Sequence, residues 1–162
     1  MSRARSLADS ARATDWLQLD KQLCFALYSA SLAMTKLYKP LLEPLGLTYP
    51  QYLALLVLWE RDGLAVNELG ERLFLDSGTL TPLLKRMEAA GWLSRQRASD
   101  DERRVIVSLS AEGRALKRRA QGVPLELASA TGCSADELVA LTRQLQQLRT
   151  QLLDARPESP TH

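Results

Sequence analysis

The chain has 162 residues, 46% of them hydrophobic, which is enough to bury a core and excludes global disorder. Its net charge of +2 excludes a polycation, so any nucleic-acid contact must come from charge gathered on one surface. The one histidine is the last residue, His162, which excludes a histidine-based catalytic triad in the body of the chain and leaves no zinc site.

In chain order, residues 1–14 are polar, rich in Ala, Ser and Arg, and aperiodic, and they read as a loose arm. Arg3, Arg5, Asp9 and Arg12 interrupt the stretch where a signal peptide would carry its apolar core. From Asp15 the pattern is helical. Leu19, Leu23, Ala26 or Leu27, Ala30 and Met34 recur at steps of three and four and draw an apolar stripe. Pro40 and Pro44 bend and end that segment, and Gly46 marks its exit. A second helix is expected from about Pro50, a residue suited to a first turn, to about Asp62, before Gly63. Its apolar run, 52–59, is far shorter than the ~20 residues that span a bilayer, and no membrane partner is expected.

A short helix from Asn67 to about Leu73 leads into Leu75-Asp76-Ser77-Gly78, a turn in which Asp76 or Ser77 can cap the next helix. Leu80, Leu83, Leu84 and Met87 share one face of that helix, and Gly91 stops it. Residues 92–97 and 104–109 read as two short strands joined by the charged turn 98–103. Ser110, with Glu112 and Gly113, opens a helix to about Gly122, and Pro124 begins its continuation to about Thr131. Gly132 breaks the pattern, and Ser134 with Glu137 makes a capping box for a last helix to about Leu153. The tail, 155–162, is rich in Pro and Ser and is expected to be disordered.

Helix, capped turn, helix and basic hairpin in one block are the order of a winged helix-turn-helix: mainly α, with a small β-wing. The second of the two helices would enter the major groove of double-stranded DNA. Ser77, Thr79, Thr81 and Pro82 lie near its N-terminus, where side chains reach base edges, and Lys85 and Arg86 follow one turn on. Arg95, Arg97, Arg103 and Arg104 flank the acidic hairpin tip, and an arginine there can enter a narrow minor groove while a neighbouring aspartate orients it. A run of charge alone is as often a solvated surface. The conjunction of elements is what points to DNA.

The segment Val66-Asn-Glu-Leu-Gly-Glu-Arg-Leu-Phe-Leu-Asp-Ser-Gly-Thr-Leu-Thr-Pro-Leu-Leu-Lys-Arg-Met-Glu88, followed by Asp101-Glu-Arg103, resembles the MarR family of winged-helix regulators over about 18–153. The resemblance implies a homodimer on a near-palindromic operator, with Arg103 as the minor-groove residue and Asp101 as its partner. It divides the chain into a winged-helix domain at 15–154, with a DNA-binding lobe at about 50–109 and dimerisation helices at about 15–46 and 110–154. The Leu- and Ala-rich first and last helices fit that division independently, because they carry more apolar surface than a small wing domain covers.

Two cysteines, Cys24 and Cys133, lie too far apart in sequence for a CxxC motif or a metal knuckle. A lone helical cysteine is most often a small buried hydrophobe. Against that reading, Tyr38 and Tyr49 flank the bend after the first helix, and phenol donors pointed at a sulfur favour its thiolate, the species that attacks peroxides. Cys133 sits at a helix break beside Gly132. The blocks Leu23-Cys-Phe-Ala-Leu-Tyr28, Leu47-Thr-Tyr-Pro-Gln-Tyr52 and Ala130-Thr-Gly-Cys133 resemble the organic-hydroperoxide-sensing branch of the family and its two-cysteine subclass. That resemblance implies a peroxidatic Cys24, hydrogen-bonded by Tyr38 and Tyr49, and a resolving Cys133 from the other subunit. The expectation is a cytoplasmic, non-enzymatic repressor without cofactor or metal, released from DNA when an organic hydroperoxide oxidises it.

Three rivals stand beside it: a repressor controlled by a small aromatic ligand, a thiol peroxidase, and a DNA binder without sequence preference. Trp16, Trp59 and Trp92 lie on apolar faces and read as packing residues. Arg114, Lys117, Arg118 and Arg119 read as the solvated face of a helix.

Overall fold

A computed structural model describes residues 17–155. The arm expected at 1–14, Trp16, the tail from 156 and His162 lie outside the described residues. The described chain forms two compact units, one ending at Ala120 and one beginning at Gln121.

The first unit opens with a 3-10 turn, Leu19–Lys21, and helix α1, Leu23–Leu42. The helix thus starts later than the apolar stripe suggests. The N–H groups of Lys21 and Gln22 close onto carbonyls three residues back, and Gln22 is extended (φ −87°, ψ 112°). Side-chain periodicity registers polarity and passes unbroken through such a turn. A second 3-10 turn, Glu43–Leu45, holds Pro44, and Gly46 closes it in the left-handed region (φ 71°). Helix α2, Tyr49–Glu60, begins at a capping box: Thr48 Oγ1 accepts the Gln51 N–H, and Gln51 Oε1 accepts the Thr48 N–H. Strand β1, Leu64–Ala65, helix α3, Val66–Leu73, and helix α4, Ser77–Ala89, follow. Strands β2, Leu93–Arg97, and β3, Val105–Leu109, form the hairpin, and α5, Ala111–Arg119, closes the unit.

The hairpin is part of a three-stranded antiparallel sheet of order β1-β3-β2, with Leu64 opposite Val107 and Leu93 opposite Leu109. Two-residue β1 has no sequence signature, because only its partner β3 makes it a strand. Leu55, Leu58, Leu69, Leu80, Leu84, Met87 and Val107 are essentially fully buried and hold α2, α3, α4 and the sheet around one core. Each such side chain contributes roughly 1.5–3 kcal/mol.

The second unit comprises α6, Val123–Thr131, and α7, Ala135–Asp154, separated by Gly132 in the left-handed region (φ 69°). Ser134 and Glu137 form the expected capping box at the start of α7. The two long helices, each described within its own unit, share one property. Leu42 is the one buried residue of α1, α7 has none, and apolar side chains stand exposed along both, Phe25, Tyr28 and Leu32 on α1 and Val139, Leu141 and Leu145 on α7. Among the described residues no single helix is long and apolar enough to cross a membrane.

Candidate DNA interface and thiol site

Helices α3 and α4 meet at a tight turn. An ideal Cβ on Gly70 would stand 2.8 Å from the Leu75 carbonyl oxygen, so only glycine lets α3 approach the turn this closely. Asp76 is the cap of α4, its carboxylate accepting the Thr79 N–H at 2.8 Å. With Leu80, Leu83, Leu84 and Met87 turned inward, Ser77, Thr79, Pro82, Lys85 and Arg86 are exposed and Thr81 half-buried. The six α4 residues expected at a DNA surface therefore share its outward side.

The wing presents its arginines in three different ways. At the tip, the Asp101 carboxylate accepts both the N–H and the Nε–H of Arg103, at 3.0 and 3.2 Å, while the Arg103 side chain is 92% exposed. That arginine is held by its stem and offered outward. Arg97 donates to the Glu102 carbonyl oxygen at 3.0 Å, and Arg104 pairs with Asp100 at 3.5 Å. Arg95 is turned inward. Its Nε and one terminal nitrogen both donate to Glu88 at 3.1 and 2.9 Å, and its backbone N–H donates to the other Glu88 oxygen at 2.8 Å. Those hydrogen bonds hold the Glu88 carboxyl below its ordinary range. Arg95 thus fastens β2 to the end of α4 while still lining the cleft beside the wing. Between α4 and the wing lies a cleft of about 370 Å³, lined by Ser77, Thr81, Arg103 and Arg104 together with Asn67 of α3. Asn67 and Glu88 lie in the segment that carries the family resemblance, but where each points depends on which element it faces.

Cys24 lies in the first turn of α1 and is exposed within its own chain. Tyr38 sits on the same helix 14 residues later, about 21 Å away along the axis and within about 40° of the same face. A thiol flanked by phenols, the arrangement expected from the sequence, does not form inside one chain, because a straight helix cannot fold back on itself. The phenols do gather with one another. The rings of Tyr38 and Tyr49 are 4.5 Å apart and those of Tyr38 and Tyr52 5.8 Å apart. Burial first, then the neighbouring phenols of Tyr49 and Tyr52, push Tyr38 up to about 12, so it keeps its proton at neutral pH. Tyr52 joins the cluster because the i, i+3 spacing of Tyr49 and Tyr52 puts both on one helix face. Beside the cluster, Lys36, Lys39, Leu42, Leu47, Tyr49 and Pro50 help to line a largely apolar pocket of about 520 Å³. In the second unit, Cys133 is exposed immediately after Gly132, its N–H donating to the Thr131 hydroxyl at 3.2 Å.

All four cations read as a solvated helix face are exposed, and three of them also reach neighbouring segments. Arg114 pairs with Asp62 at 3.1 Å, Lys117 donates to the Trp59 carbonyl at 3.1 Å, and Arg119 donates to the Pro44 carbonyl at 2.7 Å; Arg118 is exposed. Trp59 and Trp92 are half-buried, as packing residues should be, and the Trp59 indole N–H donates to the Gly113 carbonyl at 2.9 Å.

Residues 36–120 match the family model of the transcriptional regulators SarA/Rot. The organic hydroperoxide resistance transcriptional regulator of Bacillus subtilis (strain 168) is 50% identical over 134 residues, 83% of this chain and 91% of that protein. Among solved structures, reduced AbfR of Staphylococcus epidermidis bound to DNA superposes with a TM-score of 0.73 at 34% identity, covering 88% of this chain and 99% of that one. The disulfide-formed AbfR superposes at 0.60 with 32% identity, covering 95% and 99%.

Proposed function

The chain belongs to the winged-helix transcriptional regulators of the MarR family, in the branch of the organic hydroperoxide resistance regulators, and from that premise we propose a repressor whose grip on operator DNA is set by the oxidation state of Cys24. The reading covers a homodimer in the cytoplasm, a near-palindromic operator and an organic hydroperoxide as oxidant. The observation that carries it is the spacing on α1. Residues 24 and 38 stand two heptads apart on one face, with Ser31 midway. Lay a second copy of the helix antiparallel across Ser31, and each Cys24 meets the other chain's Tyr38, with Tyr49 stacked behind it. The exposed apolar side chains of α1 supply the surface for that pairing, and those of α7 add to it. The thiol site is thus completed by the partner.

A neutral Tyr38 phenol donates a hydrogen bond to sulfur and favours the thiolate. The thiolate attacks the terminal oxygen of the hydroperoxide. The O–O bond breaks, sulfur loses two electrons, and the alkoxide leaves as the alcohol after taking a proton. Cys133 of the second chain then attacks the sulfenic sulfur, forming the S–S bond and releasing water. The bond requires the two Cα atoms to come within roughly 4.4–6.8 Å, and helix movement that achieves this would disturb the spacing of two DNA-binding lobes. On the DNA side, α4 enters the major groove through Ser77, Thr79, Thr81, Pro82, Lys85 and Arg86. Arg103, oriented by Asp101, enters the minor groove, and Arg97 and Arg104 take phosphates.

The test uses a duplex enriched by the reduced protein from a random-sequence library, with cumene hydroperoxide as oxidant. Wild type should release the duplex on oxidation and regain it with dithiothreitol. Cys24→Ser should bind equally well and ignore the peroxide, and a peroxide response retained in that variant refutes the sensing role. Cys133→Ser should abolish the crosslinked species on a non-reducing gel.

The apolar pocket beside Tyr49 favours one alternative, a small aromatic ligand as the effector, and release of DNA from Cys24→Ser by such a ligand is the result that selects it.

A further inference from the structure

A wing reads DNA only if its tip arrives at the right height and angle. Arg103 lies about six residues from the base of β3, so the tip stands about 20 Å from that base. A swing of about 10° at the base moves the tip by about 3.5 Å, more than the length of a hydrogen bond. Whatever fixes the base therefore fixes the contact.

On the β2 side the base is held by Glu88 and Arg95. On the β3 side, beyond the strand pairing itself, a carboxylate holds it. Asp62 follows the last turn of α2, and one of its oxygens accepts both the Gly63 N–H and the N–H of Leu109, the last residue of β3, each at 2.8 Å. Its other oxygen takes the Arg114 guanidinium of α5 at 3.1 Å. The β1–β3 register explains the placement. Leu64 lies opposite Val107, so the pair two positions along the ladder would be 62 and 109, but Gly63 turns out of the strand in the left-handed region (φ 71°). The Asp62 side chain stands in for the backbone acceptor the ladder loses there. Trp59 and Lys117 lace α5 to the same end of α2. The end of β3, the end of α2 and the start of α5 thus converge on Asp62.

We propose that Asp62 is a positioning residue for DNA binding: by fixing the end of β3 to α2 it sets the angle at which the wing delivers Arg103. The role rests on the reading of Arg103 as a DNA contact.

The test is a double-mutant cycle on the reduced full-length protein, measuring Kd for the duplex selected from the random library. Arg103→Ala alone should weaken binding about tenfold or more. In an Asp62→Ala background the wing is already misdirected, so adding Arg103→Ala should cost less than about threefold. Asp62→Glu keeps the charge but lengthens the side chain, and should behave like Asp62→Ala if the alanine variant fails to fold. Asp62→Asn, which retains an oxygen acceptor for Leu109, should keep most of the wild-type affinity and the full Arg103 effect. An Arg103→Ala penalty of the same size in every Asp62 background overturns the positioning role, because a residue that only stabilises the fold gives additive losses. Wild-type affinity in the Arg103→Ala single variant overturns the wing reading and the positioning role with it.

Discussion

Replacing Gly113 by alanine sets two effects of opposite sign against each other. Gly113 is the third residue of α5, with ordinary helical neighbours, and on helix propensity alone the substitution should stabilise the protein by about 1 kcal/mol. Packing opposes it. The new Cβ would lie 2.0 Å from the Trp92 carbonyl oxygen, 3.0 Å from the carbon of that carbonyl and 3.1 Å from Leu109 Cδ2. Two of the three atoms are backbone, and the Trp92 oxygen is already engaged by the Ser110 N–H at 3.0 Å. Relief needs a backbone shift of about 1 Å, which also pulls the Gly113 carbonyl from the Trp59 indole. Overpacking of this kind costs typically 1–3 kcal/mol, and each strained hydrogen bond about 1 more. The net expectation is a loss of about 2–4 kcal/mol, read as a lower urea midpoint with an unchanged m-value. Gly122→Ala is the control, since the nearest atom to its Cβ is the end of the Glu126 side chain at 3.5 Å, and it should be neutral or stabilising. A Gly113→Ala stability within about 0.5 kcal/mol of wild type would refute the close approach of α5 to the base of the wing.

Asp76→Ala removes the cap of the recognition helix and should cost about 1 kcal/mol of stability, with a parallel loss of affinity for the selected duplex; equal affinity in the two proteins would show that the cap does not order the DNA-reading end. Glu88 has a depressed carboxyl, so its contribution is present above the unfolded carboxylate value and lost as pH falls through the lower folded one. The thermal midpoint should therefore drop in acid more steeply for wild type than for Glu88→Gln, and parallel curves would contradict the pairing with Arg95. Tyr38 has the opposite sense. Its pKa is raised to about 12, so the folded state holds a proton that the unfolded chain loses from about pH 10, and stability falls as pH rises through that window. Tyr38→Phe should flatten that alkaline decline in a pH series of urea midpoints.

What was legible from residues alone was what is local. The caps at Asp76, Ser110 and Ser134 bind N–H groups three residues away, and Gly46, Gly91 and Gly132 turn the chain through the left-handed region where the sequence places the breaks. Periodic leucines set the inward face of α4 and, by subtraction, its outward one. Spacing alone offers Arg103 three acidic neighbours, Asp100, Asp101 and Glu102, and the family resemblance is what singles out Asp101. The caps, breaks and helix faces span a few residues, so residue type and spacing suffice to specify them.

Tertiary structure decided everything that joins distant segments. Arg114, Lys117 and Arg119, exposed as the sequence suggests, also find partners 52, 58 and 75 residues away and become tethers. Strand β1 exists only because β3 lies beside it, and Asp62 gains its role only where the ladder ends. Cys24 and Tyr38 look adjacent in purpose, yet a rigid helix with a rise of about 1.5 Å per residue keeps them apart within one molecule. Spacing along a chain states how far apart two groups must be on one element. Which groups meet across elements depends on how those elements pack, and that is a property of the folded molecule.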